Sequence, residues 1–247
     1  MYQLNEIDTL PPESADKETS KVAIKALLQE LDELQNLLYA SRKHALLVVL
    51  QGMDASGKDG LIRDVFGNLN PQGVRVQPFK APTEEELAHD FLWRIHRHVP
   101  ERGMIQVFNR SHYEDVLVTR VHGMIDDATA GKRFAAINDF ERLLQEHSQT
   151  VILKFYLHVS AEEQSKRLKE RIQDPRKMWK YNANDEKEAS LRTQYMRMYE
   201  EVFANCAQPS WHIVPADKNW YKEYYVARAV VEALRALDMK YPLIKQS

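Results

Sequence analysis

Short runs of hydrophobic residues alternate along this chain with longer segments in which hydrophobic residues recur every three or four positions. The runs predict five β-strands, at residues 45–50, 74–79, 104–108, 151–159 and 212–214. Runs that are apolar throughout are typical of strands buried on both faces. The helical segments between them are long enough to connect strands that run parallel. The pattern therefore predicts an α/β fold of three layers, α/β/α, with a five-stranded parallel sheet in the middle.

The N-terminal part of the chain falls into two segments. Residues 1–20 contain Pro11 and Pro12 and lack apolar periodicity, so we expect an extended arm. From residue 21, hydrophobic residues recur at helical spacing among charged ones, which predicts an amphipathic helix. This helix packs on the domain or, alternatively, forms a dimer surface. We expect residues 21–247 to form a single domain, because α/β domains often reach this length.

A strongly charged segment at residues 161–204 stands apart from the rest of the pattern. Helical spacing covers residues 161–172, breaks at Asp174 and Pro175, and resumes at residues 187–204. The connection carries basic and aromatic side chains, and loops of this kind often close over ligands. We therefore expect a helical hairpin that forms a lid over a binding site.

Charge and composition narrow the classes of function. The 247 residues include 34 Lys and Arg and 36 Asp and Glu, a formal net charge of −2, which argues against a nucleic-acid-binding protein with a broad basic surface. A polyanionic ligand would instead need a local basic patch. The longest aliphatic run, residues 45–50, is far shorter than the ~20 residues that span a bilayer, so we expect no membrane partner. The lone Cys206 and the lack of a leader pattern indicate a cytoplasmic protein.

The most specific motif directly follows the first predicted strand. Residues 52–58 read Gly-Met-Asp-Ala-Ser-Gly-Lys, which matches the phosphate-binding pattern G-x-x-x-x-G-K of a P-loop. Small residues let consecutive backbone N–H groups point into one concavity, the following helix presents its positive end, and the lysine reaches the outer phosphates. The predicted phosphate-binding residues here are Gly52, Met53, Ala55, Ser56, Gly57, Lys58, Asp59 and Gly60.

Two acidic residues distinguish this motif from the common pattern. Asp59 stands where a Ser or Thr usually places its hydroxyl on Mg²⁺, so another magnesium ligand is needed. Asp54 is the candidate, because a carboxylate beside bound phosphates would be repelled unless a divalent cation lay between them. We therefore expect Asp54 to hold a metal.

A charged cluster follows the third predicted strand. Asn109, Arg110, Glu114 and Asp115 lie at its carboxyl end, where open α/β sheets bind ligands. An arginine there can neutralise charge on a transferring phosphoryl group, and an acidic residue can hold the metal. A helix cap with internal ion pairs is the alternative explanation.

These motifs together resemble those of the polyphosphate kinase 2 family. The resemblance rests on residues 52–58, 108–113, 174–175 and 179–180, and it extends to residues 70–71, 80–84, 211 and 215–218, so that it covers about residues 20–240. It implies a P-loop kinase-like fold with a helical lid and inorganic polyphosphate as phosphoryl donor or acceptor. It also implies Mg²⁺ as cofactor, with Mn²⁺ able to replace it, and a homo-oligomer, either a dimer or a tetramer.

The resemblance also indicates the acceptors. Many members have Asp where this chain has Asn109, and Asn where it has Glu114, so the carboxylate lies five residues further along the turn. This exchange is similar to that of the subgroup that phosphorylates both nucleoside mono- and diphosphates. It implies that AMP and ADP are the acceptors and that ADP and ATP are the products.

The motifs and the resemblance assign roles to the candidate residues. We expect the catalytic residues to be Asp54, Lys58, Arg110, Glu114 and Arg171, with Asp54 and Glu114 holding the metal. The nucleotide-binding candidates are Asn109, Arg110, Glu114 and Asp115, and the outer phosphate-binding candidates are Lys80, Arg120, Arg176 and Lys180. For each outer cation, a solvated surface charge is the alternative.

Two rival functions stay open at this point. An ATP-dependent nucleoside monophosphate kinase of thymidylate-kinase type shares the P-loop, the parallel sheet and an arginine-bearing lid. Asp59 and the cluster at residues 109–113 argue against it. A catalytically silent module that binds phosphate chains is the second rival, although the presence of Asp54, Lys58, Arg110 and Glu114 together argues against it.

Overall fold

The computed structural model describes residues 2–243 and shows, within them, a central sheet of five parallel strands. The strands are β1 (Ala45–Gln51), β2 (Val74–Pro78), β3 (Ile105–Asn109), β4 (Thr150–His158) and β5 (Trp211–Pro215). They lie in the order β2-β3-β1-β4-β5, and every neighbouring pair is parallel. The predicted strands are confirmed, each to within one residue at either end.

Helices connect the strands and cover the sheet. They are α1 (Lys17–Ser41), α2 (Lys58–Phe66), α3 (Glu84–Leu87), α4 (Trp93–His96), α5 (Val118–Val121), α6 (Asp127–Ser148), α7 (Ala161–Gln173), α8 (Asp185–Ser190), α9 (Arg192–Asn205) and α10 (Asn219–Arg235). Short 3₁₀ turns occur at Leu4–Glu6, His112–Val116 and Met178–Lys180. Among residues 2–243, none of the helices combines the length and apolar composition needed to cross a membrane.

Hydrophobic residues fill both faces of the sheet. Along β1, Leu47 and Val49 contribute to one core, whereas Leu46, Val48 and Leu50 contribute to the other. This alternation arises because successive side chains of a strand point to opposite faces. Helices α6 and α9 close the first core, and α1, α2 and α10 close the second. The three-layer α/β/α arrangement is therefore confirmed.

The N-terminal helix begins earlier than the sequence pattern predicts. The Asp16 side chain accepts a hydrogen bond from the backbone N–H of Thr19 at 2.8 Å, which caps the first turn of α1. The helix therefore starts at Lys17, and residues 17–20 do not belong to the arm. The apolar periodicity misses this turn because the capping residues are polar.

The arm and α1 both pack on the domain. Leu4 is fully buried in the core beneath α9, and its backbone N–H donates to the carboxylate of Glu200 at 2.7 Å. Leu31 and Leu38 of α1 are fully buried in the core that α10 shares. The first of the two explanations for the amphipathic helix, packing on the domain, thus accounts for its apolar face.

The lid differs in one respect from the predicted hairpin. Its first helix, α7, matches the prediction, but the second helix is divided at Leu191 into α8 and α9. The Leu191 N–H donates to the carbonyl of Glu188 at 3.1 Å, which forms a tighter turn. The next residue, Arg192, donates to the carbonyl of Val159 at 2.6 Å and so reaches back toward the sheet. Apolar spacing continues across this break, which is why the pattern predicts one helix.

Candidate active site

The loop between β1 and α2 bends at positions that ordinary side chains seldom occupy. Its backbone takes positive φ angles at Gly52 (150°), Ala55 (60°) and Gly57 (94°). A Cβ on Gly52 would lie 2.9 Å from the carbonyl oxygen of Leu157, so only glycine fits there. Helix α2 begins immediately afterwards at Lys58. Its free N–H groups and its positive dipole end therefore face this loop.

Lys58 lies inside the loop. Its buried ammonium donates to the carbonyl oxygens of Gly52 at 2.6 Å and Met53 at 3.1 Å, and to the hydroxyl of Ser56 at 3.3 Å. Burial, aided by the nearby charge of Arg110, lowers the pKa of Lys58 from 10.5 to about 8. The loop thus surrounds a cation that is close to its own titration range.

Arg110, directly after β3, bridges two carboxylates. Its guanidinium forms an ion pair with Asp54, and its Nη1 lies 3.3 Å from Oε2 of Glu114. Glu114 and then Asp54 raise the pKa of Arg110 above its ordinary value. Burial favours a higher pKa for Asp54, but the charges of Arg110, Lys58 and Arg171 outweigh burial and lower that pKa. Asp54 is therefore ionised at neutral pH.

One carboxylate oxygen of Glu114 is not used in the ion pair with Arg110. Its Oε1 is buried and has no hydrogen-bond partner among the described residues. A buried carboxylate oxygen of this kind is costly unless a further group binds it. Within residues 2–243, no group of three or more His, Cys, Asp or Glu side chains is arranged to hold a metal. Asp54 and Glu114 are thus a pair of oxygen donors that needs ligands from elsewhere to complete a metal shell.

Three parts of the chain converge on one pocket here. Its lining residues are Gly52, Met53, Asp54, Arg110, Glu114, Gln164, Glu188, Tyr195 and Tyr199. The first three follow β1, the next two follow β3, and the last four belong to the lid. The hydroxyl of Tyr195 donates to the carboxylate of Glu188 at 2.7 Å, which joins α8 and α9 at the pocket. The structure therefore brings the predicted residues Asp54, Arg110 and Glu114 together under the lid.

Other predicted residues lie around this pocket. Lys180, at the end of the lid loop, places its ammonium 2.8 Å from the Asp59 carboxylate, and Asn109 donates to the same carboxylate at 2.9 Å. The side chain of Asp59 therefore turns toward the lid, and Asn109 is bound to it rather than to the pocket. Arg171 is paired with Asp185 inside the lid at 2.7 Å.

Two predicted site residues are placed elsewhere. Arg120 is only 8% exposed, and its guanidinium is bound by Glu201 at 2.6 Å and by Asp127 at 2.7 Å. Arg120 therefore belongs to an ion-pair network in this structure. Asp115 accepts from Arg94 at 3.2 Å and does not line the pocket. Side chains of opposite charge bind both groups in this structure, and their assignments to substrate binding stay predictions.

The remaining outer cations face solvent. Lys80 is exposed, and Arg176 is 89% exposed, with its guanidinium 3.2 Å from the carboxylate of Asp174 in the lid loop. Exposed ion pairs of this kind contribute little to stability. Their assignment to a phosphate groove stays a prediction.

A set of lid residues that the sequence motifs do not single out holds the β1–α2 loop. Gln164 donates to the carbonyl of Asp54 at 3.1 Å and accepts from Arg192 at 2.8 Å, and Arg167 also binds the loop backbone. A signal was present, because Gln164, Arg167 and Arg171 are spaced as one face of a helix. Arg171 is a predicted site residue on that face, and the same spacing points to the other two.

Fold and site together define the class of protein. A parallel sheet in this order, a glycine-rich loop that leads into a helix, and a helical lid above it form a P-loop kinase-like α/β protein. The family model of polyphosphate kinase 2 matches residues 14–242 of the chain. The chain belongs to the polyphosphate kinase 2 family, and the resemblance found in its motifs is confirmed.

Individual relatives agree with this assignment. The chain is 46% identical over 228 residues to an AMP/ADP-polyphosphate phosphotransferase of Meiothermus ruber, a match that covers 92% of this chain and 85% of the relative. It is 42% identical over 240 residues to an ADP-polyphosphate phosphotransferase of Rhodopseudomonas palustris, covering 92% and 83%. The crystal structure of polyphosphate kinase 2 from Arthrobacter aurescens TC1 superposes with a TM-score of 0.95 at 42% identity, covering 100% of this chain and 89% of the other.

Proposed function

We propose that this protein transfers the terminal phosphoryl group of inorganic polyphosphate to AMP and to ADP, forming ADP and ATP, and that the transfer is reversible. The observation that carries the proposal is the pocket in which Arg110 bridges Asp54 and Glu114 beside the loop that surrounds Lys58. The names of the Meiothermus ruber and Rhodopseudomonas palustris relatives support polyphosphate as a substrate and AMP and ADP as acceptors.

The chemistry requires charge neutralisation more than it requires a covalent intermediate. Two polyanions that meet at one centre repel each other, so catalysis consists of positioning and of placing cations around the transferring phosphoryl group. In our proposal the backbone N–H groups of the β1–α2 loop and the ammonium of Lys58 bind the donor phosphates. Arg110 turns one arm of its guanidinium from Asp54 to the transferring group, which leaves Asp54 free for a metal.

The two carboxylates suit Mg²⁺, and we propose that Mn²⁺ can replace it. Mg²⁺ is usually bound by one or two carboxylates together with substrate phosphates, and Asp54 and Glu114 offer this donor set. Asp54 is held ionised, and Glu114 has a buried oxygen without a partner among the described residues. When bound by these residues, the ion would act as a Lewis acid that neutralises charge developing on the phosphate oxygens.

The lid supplies the outer cations in this proposal. Lys180 already crosses from the lid to the first turn of α2, and the charge of Arg171 acts on Asp54. We propose that the polyphosphate chain runs beneath these two residues and past Arg176 and Lys80. Contacts with the chain would then replace the ion pair between Lys180 and Asp59.

We propose a cytoplasmic homo-oligomer, a dimer or tetramer, that binds neither nucleic acid nor membranes. The single cysteine supports the compartment, because a chain with one cysteine forms no intramolecular disulfide. Subcellular fractionation tests the location, and light scattering of the purified protein tests the assembly.

The experiment that tests the activity is ATP formation from AMP and, separately, from ADP. The purified protein is given long-chain polyphosphate and Mg²⁺ with no other phosphoryl donor, and the Lys58→Ala variant serves as the control. Product in both tubes supports the proposal, whereas product from ADP alone contradicts the dual acceptor range. If neither tube yields product, but ATP phosphorylates a nucleoside monophosphate, the thymidylate-kinase-type function is correct instead.

A further inference from the structure

Arg167, at the base of the lid, binds the backbone of two loops at once. It lies on α7, and its partly buried guanidinium reaches four carbonyl oxygens. These oxygens belong to Ala55 at 3.2 Å, Ser56 at 3.0 Å, Ala216 at 2.8 Å and Asp217 at 3.1 Å. The first two lie in the β1–α2 loop and the others follow β5. Arg167 therefore joins the lid, the glycine-rich loop and the carboxyl end of the edge strand β5.

The shape of this contact is specific to arginine. A guanidinium is planar and directs its N–H groups in a fixed fork, so Nη1 serves one loop and Nη2 the other. The remaining Nε donates to Glu163 at 2.8 Å, which fixes the plane of the group. The compact ammonium of a lysine cannot contact two pairs of carbonyls in this way.

The contact determines where one amide of the loop points. In a trans peptide the carbonyl of one residue and the N–H of the next lie on opposite sides of the chain. Because Arg167 holds the Ser56 carbonyl on the lid side, the N–H of Gly57 faces the other way. Gly57 has a φ of 94° and directly precedes α2, so its amide belongs to the group that P-loops direct at phosphate.

The lid side of Gly57 is filled with positive charge. A Cβ on Gly57 would lie 2.3 Å from Nζ of Lys222 and 3.4 Å from Nη1 of Arg167. Lys222 is almost fully buried, and its ammonium donates to the side chain of Asn219 at 2.7 Å. The loop therefore cannot shift toward the lid at this residue, and the carbonyl contacts of Arg167 keep it from rotating.

We propose that Arg167 is a positioning residue of the phosphoryl-transfer site, which aims the Gly57 amide at the donor phosphate and couples the lid helix to the loop. The inference rests on the proposed function, because it takes the loop to bind polyphosphate. Arg167 touches neither substrate nor metal in this role. It acts through the loop backbone.

The test observes the Gly57 amide directly. Ser56-Gly57 is the single Ser-Gly dipeptide in the sequence, so protein labelled with ¹³C-carbonyl serine and ¹⁵N-glycine gives one carbonyl-filtered amide signal. Inorganic tripolyphosphate is titrated into the wild type, Arg167→Ala, Arg167→Lys and Lys166→Ala. Lys166 is the matched control, because it neighbours Arg167 on α7 but is 65% exposed and pairs only with Glu163 at 3.5 Å among the described residues.

We expect the wild-type and Lys166→Ala signals to shift alike and to saturate. In Arg167→Ala and Arg167→Lys the signal should start at a different position and need about tenfold more tripolyphosphate. Enzyme kinetics on the same proteins should show kcat/KM for polyphosphate lowered about 100-fold in both Arg167 variants, with the KM for AMP within about twofold of wild type. A merely structural role would lower the thermal midpoint without this division between the two substrates.

Each result has a distinct consequence. Arg167 variants whose Gly57 signal and kinetics match those of wild type would overturn this inference and leave the proposed function intact. Full activity in Arg167→Lys would also overturn the inference, because the inference depends on the forked shape of the guanidinium. Arg167→Lys keeps the positive charge, so it serves as the test if Arg167→Ala folds poorly. If the Gly57 signal of the wild type did not shift when tripolyphosphate was added, the proposed function would be overturned and, with it, the role of Arg167.

Discussion

The base and the tip of the lid are attached to the domain by different kinds of contact. The lid base, which consists of Gln164, Arg167 and Arg192, binds backbone carbonyls of the β1–α2 loop and of the strand ends. The lid tip, residues 174–181, is joined to α2 through the ion pair of Lys180 with Asp59. Both side chains of that pair are substantially exposed, whereas Gln164 is buried.

The two kinds of contact differ in energy and in what they permit. Breaking a buried hydrogen bond costs about 1–3 kcal/mol because a polar group loses its partner, while an exposed ion pair is worth about 0–1 kcal/mol. The tip can therefore leave the domain at little cost while the base stays bound. These contacts favour a lid that opens at its tip, while its base continues to fix the conformation of the β1–α2 loop.

The largest expected effect concerns Lys58, which lies inside the β1–α2 loop that the lid base binds. Lys58→Ala should lower kcat/KM for polyphosphate by about 10³-fold or more, because the cation beside the transferring group is lost. The variant should still fold, because the substitution removes a side chain from the loop and not from a hydrophobic core. Steady-state kinetics and circular dichroism measure the two effects. An active Lys58→Ala protein would show that the base holds a loop without catalytic importance.

The next effect concerns the base itself. Arg192→Ala removes the hydrogen bonds to Val159 and Gln164, leaving polar groups without partners. We expect a loss of about 1–3 kcal/mol, which lowers the thermal midpoint by about 3–10 °C in a domain of this size, and a kcat about 10- to 100-fold lower. Calorimetry and kinetics check this prediction.

A matched control for this variant is available on the same helix. Arg197 of α9 is 77% exposed and lies 3.6 Å from Glu201, so Arg197→Ala should change neither the midpoint nor kcat. If Arg192→Ala and Arg197→Ala had the same thermal midpoint and the same kcat, Arg192 would contribute no more than an exposed arginine on the same helix.

A smaller effect follows from pH. Lys58 has a pKa of about 8, lowered from 10.5 by burial and by Arg110, so the ammonium loses its proton as pH rises through 8. We expect kcat/KM for polyphosphate to fall above pH 8, by up to about tenfold per pH unit. Stability should change in the opposite direction. Because the unfolded lysine binds the proton more tightly, unfolding free energy rises with pH between about 8 and 10.5.

The assignment of this pH profile can be checked, because Lys222 also has a pKa of about 8, lowered by burial and then by Arg167. Lys58→Arg keeps its charge at every accessible pH, so the decline in kcat/KM should disappear in this variant. It should persist in Lys222→Arg. If the decline persisted in Lys58→Arg and disappeared in Lys222→Arg, the titrating group would be Lys222.

Much of this architecture could be predicted because its signals are local. All residues of β1 are buried and residues 45–50 form a continuous apolar run, and the turn into α2 requires the glycines that mark the motif. Asp54, Lys58, Arg110 and Glu114 lie within about seven residues after the ends of β1 and β3, where parallel sheets bring side chains together. For these residues, position along the chain is nearly equivalent to position in space.

The contacts that the sequence pattern does not predict have the opposite origin. Arg120 pairs with Glu201 of α9, 81 residues further along the chain. The partners of Arg167 are backbone carbonyls, which no side-chain pattern in the sequence reveals. Long-range ion pairs and contacts with main-chain atoms depend on the finished fold, so a pattern read along one sequence does not contain them.

The smallest expected effect lies at the tip of the lid. Lys180→Ala should raise the KM for polyphosphate about two- to fivefold, with kcat nearly unchanged, because an exposed cation attracts the chain without touching the reacting group. The thermal midpoint should stay within about 1 °C, and high salt should erase the difference in KM. Asp59→Asn, which breaks the same ion pair but leaves Lys180 free for phosphate, should not raise KM. If Lys180→Ala destabilised the protein as strongly as Arg192→Ala, the tip would be bound as firmly as the base and would not open independently of it.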